Sequence, residues 1–244
     1  MARPGDAVMR VIGAAVLASF VGAAAAHDLI TTESAERYLN EGAKLRSLAA
    51  SGEPAQRRAE AYYRLGVMLD EIRELLNRDL AAHGEVQGLP SKVLVAELGA
   101  RGIPLAYSRS RRMFLSNGEY FRAALELAPE SQLAADSAWR LLQGGFYDGV
   151  EQDPLKVRDD PDVLRAQIAL AEKLLSSTLP AAEREELEFI AAILYTRAAK
   201  TLSDRAASKA YASKARTAID GFEARYPESL RAAIMPVLRE ALAR

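Results

Sequence analysis

Apolar residues recur at steps of three and four along most of this chain, and short polar or glycine-containing breaks separate the stretches. That period lines one face of an α-helix. A first helix is predicted from about Thr32 to Ala50, with Ala35, Tyr38, Leu39, Leu45 and Leu48 facing inward, ended by Ala50–Pro54. The clearest stripe is Tyr62, Leu65, Leu69, Ile72, Leu76 and Leu80, with charged residues between its members. Beyond the break at His83–Ser91, the run Val93–Leu94–Val95 suits a strand, but no neighbouring strand is evident. A short helix ending at Gly99 or Gly102 is the better expectation.

Leu105 to Ala128 reads as two helical stretches with Ser116–Gly118 as the turn between them. After Pro129, a helix carries Leu133, Ala134, Ala138, Leu141 and Leu142 on one side, and Gly144–Gly145 are expected to stop it. Residues 144–160 form the longest irregular stretch, of the length found in functional loops and linkers. Asp160 followed by Pro161 is a helix start, because aspartate caps free N–H groups and proline suits the first helical position. Further helices follow through Leu187–Ala198 and Ala207–Phe222. The last, from Ser229, should be kinked or shortened by Pro236, which lacks a backbone donor.

Composition sharpens this picture. Half of the residues are hydrophobic, many of them alanine, and the abundance of Ala, Leu, Glu and Arg favours helix over sheet. The expected fold class is all-α: antiparallel helical hairpins stacked as a short solenoid, or an irregular helical bundle.

The first residues follow a different rule. Arg3 and Arg10, the apolar run from Val11 and the small residues of Ala23–Ala26 have the order of a secretory signal. Val11 to Ala26 is 16 residues, short of the roughly 20 that cross a bilayer. The expected organisation is a signal peptide at 1–26, a helical half at 27–143, a connecting loop at 144–160 and a second half at 161–244 packed with the first. The expected location is periplasmic or secreted, with no stable membrane insertion after cleavage. Losing Arg3, Arg10 and Asp6 moves the net charge only from -1 to -2. The densest basic cluster is Arg109–Arg112, too short to track a phosphate backbone, so nucleic acid is not an expected partner.

Two short stretches recur. Pro129-Glu130-Ser131 is followed by Ala134–Ala135, and Pro227-Glu228-Ser229 by Ala232–Ala233. A proline cannot continue a helix, a serine two residues on can cap the next, and paired alanines let helices approach closely. Each stretch is therefore a predicted helix corner. The prolines stand 98 residues apart, close to three units of 34.

On these residues the chain resembles the tetratricopeptide-repeat family. Tyr62 with Leu65–Gly66 is similar to the start of the repeat, and Phe121, Ala124 and Pro129 to its second helix. The pieces lie in separate windows, and no single 34-residue window carries the whole pattern. The resemblance implies antiparallel helix pairs in a right-handed superhelix that binds proteins or peptides.

Candidate chemistry is sparse. The chain has two histidines and no cysteine, and lacks a nucleophile elbow, phosphate loop, zinc-protease motif or dinucleotide fingerprint. No cofactor is expected. His83 is expected in a solvent-facing loop. His27 becomes the first residue if cleavage follows Ala26, and its α-amine and imidazole could then hold copper. The acids from Asp148 to Asp162 lack a calcium-loop pattern and read as caps and solvated charges.

The expected function is an exported, non-enzymatic helical scaffold for another envelope or extracellular protein or peptide. Candidate contacts are Tyr62, Tyr63, Arg64, Arg109, Arg111, Arg112, Trp139, Phe146 and Tyr147. Phe146 and Tyr147 stand out among them, as aromatics flanked by glycine. The alternatives are a small-ligand or metal carrier and, third, an enzyme with a carboxylate pair that no spacing locates. Amino-terminal sequencing of the exported chain should begin at His27; a start at Met1 in the exported fraction would contradict the leader.

Overall fold

The computed structural model describes residues 29–115, 118–149, 160–177 and 179–243. Most of the stripes form the predicted helices, and the described residues are all-α apart from one small hairpin. The described residues divide into two units, 29–148 and 149–243.

In the first unit, α1 (Thr32–Ala49) opens with Thr31, whose hydroxyl accepts from the Ser34 N–H. α2 (Ala55–His83) follows, and Gly84 ends it in the left-handed conformation (φ 78°), where a side chain would be strained. α3 (Leu89–Ala100) is the short helix expected around Val93–Val95. Ala35, Tyr38, Leu39 and Leu45 of α1 meet Leu65, Leu69, Ile72 and Leu76 of α2 in one core, joined by Leu94, Leu98 and Ile103. Residues three, four and seven apart on the two helices supply that face.

The structure departs from expectation after Ile103. Residues Ala106–Ser108 (β1) and Met113–Leu115 (β2) form an antiparallel hairpin where a helical stretch was expected. Tyr107 stands opposite Phe114, with ring centroids 5.0 Å apart. An aromatic cross-strand pair of this kind competes with the helical pattern. Asn77 of α2 holds the hairpin: the Phe114 N–H donates to Asn77 Oδ1 (2.7 Å), and Asn77 Nδ2 donates to the Phe114 carbonyl (2.8 Å). Ser116 and Asn117 of the expected turn lie outside the described residues.

α4 (Glu119–Leu127) then packs against α2. A Cβ at Gly66 would stand 2.7 Å from the Phe121 ring, so only glycine allows this approach. α5 (Gln132–Gly149) runs through Gly144–Gly145, which do not stop it. Its buried stripe of Ala134, Ala138, Leu142 and Phe146 continues at steps of four across both glycines. Burial of that stripe outweighs about 1 kcal/mol of lost helix propensity per glycine.

The second unit is built on α7 (Ala181–Thr201), in which every residue from Leu187 to Ala198 except half-buried Phe189 is buried. α6 (Pro161–Leu175) begins as expected, with Asp160 accepting from the Asp162 N–H at 2.8 Å. α8 (Arg205–Arg225) is capped by Asp204. The three helices are successively antiparallel: Arg184 reaches the Leu175 carbonyl at one end of the α6–α7 pair, and Tyr195 reaches Glu172 further along. Glu188, 8% exposed, accepts from Arg184 Nε (3.0 Å) and Arg225 Nε (2.8 Å), pinning α8 to α7. Leu230–Ile234 is a 3₁₀ helix and α9 (Met235–Ala243) resumes the α form. Pro236 removes the donor that would have continued an unbroken helix.

The two recurring stretches prove to be one structure. α4 and α8 each end two residues before the proline, and the residue between has φ/ψ of -140°/61° (Ala128) or -130°/53° (Tyr226). A residue before proline is pushed out of the helical region. Ser131 Oγ then accepts from the Ala134 N–H at 3.2 Å, and Ser229 Oγ from the Arg231 N–H at 3.1 Å.

Gly66→Ala should lower unfolding free energy by about 1–2 kcal/mol, overpacking exceeding the gain in helix propensity. Gly99→Ala, where an added Cβ meets nothing within 4 Å, should raise it by up to about 1 kcal/mol. Urea unfolding of both variants checks the pair; shifts of the same sign would contradict the packing at Gly66.

Candidate functional site

α1 and α2 run antiparallel, and along their exposed junction lies an open groove of about 510 Å³. Arg37 and Glu41 come from α1 at i and i+4, while Tyr63, Val67 and Glu71 come from α2 at i, i+4 and i+8. Buried Leu45 and Met68 form the floor, and Tyr63 and Val67 are half-buried. Two links cross it. The Tyr38 hydroxyl donates to Glu71 Oε1 at 2.7 Å, and Arg64 donates to Glu41 Oε1 at 2.6 Å. The Arg37 guanidinium lies 5.1 Å from the centre of the Tyr38 ring. Tyr63 is braced from behind by an edge-on contact with Phe121, centroids 5.8 Å apart.

Burial, helped by the hydrogen bond to Glu71 and that residue's charge, raises the Tyr38 phenol above its ordinary value, with Arg37 acting in the opposite sense. Tyr38 therefore remains a neutral donor at ordinary pH. Both carboxylates of the groove already accept from a neighbour. The groove offers an apolar floor, one aromatic face and charges of both signs, a set suited to recognition.

A second cluster lies in the other unit. Tyr195 and Tyr211 stack at 6.2 Å, Lys214 sits 5.7 and 5.4 Å from their ring centres, and Lys214 Nζ reaches Glu172 at 2.6 Å. The Tyr195 hydroxyl contacts the same carboxylate oxygen at 3.3 Å. Burial first, then the charge of Glu172 and its hydrogen bond, raise the Tyr195 phenol to about 12. The cluster fills its own space and ties α6, α7 and α8 together.

The residues singled out in the sequence are scattered over the fold. Tyr63 and Arg64 line the groove, whereas Tyr62 is half-buried beside it, its ring centre 6.4 Å from that of Tyr120. Arg109, Arg111 and Arg112 occupy the β1–β2 turn, and Arg112, at φ 53°, donates to the Gly84 carbonyl at 3.1 Å. Trp139 (7% exposed) and Phe146 (2%) are buried on α5, so neither is presented to solvent as expected. Phe146 belongs to the helix's inward stripe, and only Tyr147 beside it is exposed. His83 is the last residue of α2 rather than a loop residue, with Nδ1 3.0 Å from buried Asp79. His27 lies outside the described residues. Among the described residues no group of three or more His, Cys, Asp or Glu could hold a metal ion.

Arg37, Tyr38, Glu41 and Glu71 were missed. Tyr38 reads as core from its spacing alone, and its hydroxyl gains meaning only from Glu71, 33 residues later.

No family model, curated protein or solved structure matches this chain. The functional reading therefore rests on the chain's own geometry.

The Tyr195 shift has a stability consequence. The folded phenol is held above its unfolded value of 10, so its contribution is fully present below pH 10 and is lost as pH rises to about 12. Thermal melts between pH 10 and 12 should show this loss reduced in Tyr195→Phe; identical slopes in both proteins would contradict it.

Proposed function

We propose that this chain is an exported, non-enzymatic helical scaffold whose first unit binds a protein or peptide of the cell envelope along the α1–α2 groove. The observation that carries this reading is the groove's openness. A carrier of small molecules would enclose a largely apolar pocket with a few converging polar groups. Here the floor is apolar, the walls carry opposite charges, and the groove opens to solvent along the two helices between its two crossing links, as suits an extended or helical segment. The charged, apolar and small-residue order of the first 26 residues supports export.

A divergent tetratricopeptide-like arrangement is the finer form of the proposal. Gly66 and Phe121, which fall in separate parts of the sequence pattern, are in direct contact, with α3 and the hairpin inserted between their helices. The matching corners at Pro129 and Pro227 support the same reading.

Affinity capture from the envelope fraction of its own cells, with residues 27–244 as bait, tests the binding role. The double variant Tyr63→Ala, Arg64→Glu should recover the partner at least about tenfold less well at unchanged helicity, the scale of losing one interface anchor. Equal recovery by wild type and variant would contradict the groove as the binding site.

A further inference from the structure

The hairpin leaves one edge open, and the direction of that edge follows from Asn77. In an antiparallel pair, opposite residues alternate between those that exchange hydrogen bonds and those whose N–H and C=O point away from the partner strand. Phe114 gives both of its backbone groups to Asn77, so Phe114 and Tyr107 form a pair of the second kind. The N–H and C=O of Tyr107 therefore point to the outer edge of β1. Among the described residues no hydrogen bond takes either of them. Tyr107 is 45% exposed, and Ala106 beside it is exposed.

The hairpin's own sequence is one-sided in charge. From Leu105 to Leu115 the chain carries Arg109, Arg111 and Arg112 and no acidic residue. Arg109 is exposed and, among the described residues, makes no ion pair. Two copies of the chain pairing edge to edge would bring both sets of arginines together, which opposes self-association. A nucleic acid has donors on its bases and, in RNA, on its 2′-hydroxyls, but its backbone does not repeat a donor and an acceptor at the spacing of a strand edge. An extended peptide supplies both a donor and an acceptor, and acidic side chains on it answer the arginines.

We propose that β1 accepts an extended acidic peptide as a third, hydrogen-bonded strand, through the Tyr107 N–H and C=O and with Arg109 pairing its carboxylates. Backbone bonds would set the register and the arginine the preference for acid, the division found in strand addition to sheet edges. The site lies on the first unit and does not depend on the groove being occupied.

The test uses the full chain and an acetylated, amidated octapeptide alternating glutamate and valine. Saturating peptide should slow hydrogen exchange at the Tyr107 amide at least tenfold. Of two versions of the peptide, N-methylated on one or the other set of alternate amides, one should bind and the other should not, because a strand pairs through a single edge. Arg109→Glu should weaken binding at least tenfold while the Phe114 amide stays protected, which reports an intact hairpin. The proposal is overturned by no binding, by unchanged Tyr107 exchange at saturation, by equal binding of both methylated peptides, or by equal affinity for a lysine–valine peptide. Protection of Tyr107 that grows with protein concentration alone would overturn it in favour of a second copy of the chain.

Discussion

One side-chain amide decides which edge of the first unit's non-helical element meets solvent. Asn77 presents a donor and an acceptor to Phe114 as a neighbouring strand would, and the helix that carries it cannot otherwise pair with a sheet. Satisfying both buried backbone groups costs little here, whereas leaving them unpaired would cost about 1–3 kcal/mol each. The same helix meets α4 through the absent side chain of Gly66 and α1 across the Tyr38–Glu71 and Arg64–Glu41 links. α2 thus serves three neighbours with three kinds of residue, and the groove and the open edge are what remain between those contacts.

The second unit solves its packing differently. α7 is surrounded, so nearly every residue from Leu187 to Ala198 must be apolar, small or paired. Glu188 is tolerated because two arginines from different helices meet it. A buried carboxylate so held adds orientation more surely than stability, since desolvation offsets much of its attraction. The corner before α9 uses the same residues as the corner before α5. Ser229 is also tied to Glu185 of α7 at 2.7 Å, a link that sets where the last helix lies.

Much of the fold was legible because helix periodicity is local. Thr31, Asp160 and Asp204 stand where caps are needed, and the prolines at 129, 161 and 227 fall at boundaries for reasons that a single residue contains. The errors share a cause. Gly144–Gly145 look like a stop until the stripe through Phe146 is seen to continue. Tyr107 and Phe114 look like helix positions until they face one another, and Asn77 gives no sign in the sequence that it will replace a strand. The groove was half legible. Tyr63 and Arg64 were visible candidates, but Tyr38 and Glu71 acquire a role only from contact across 33 residues.

The central claim is that Asn77 turns the hairpin so that the backbone edge of Phe114 faces inward and that of Tyr107 outward. Residue-resolved hydrogen exchange on the free chain tests it most directly. The Phe114 amide, held by Asn77, should exchange among the slowest of the hairpin, and the Tyr107 amide near the rate of an unstructured peptide. A protected Tyr107 amide beside a freely exchanging Phe114 amide would contradict the account.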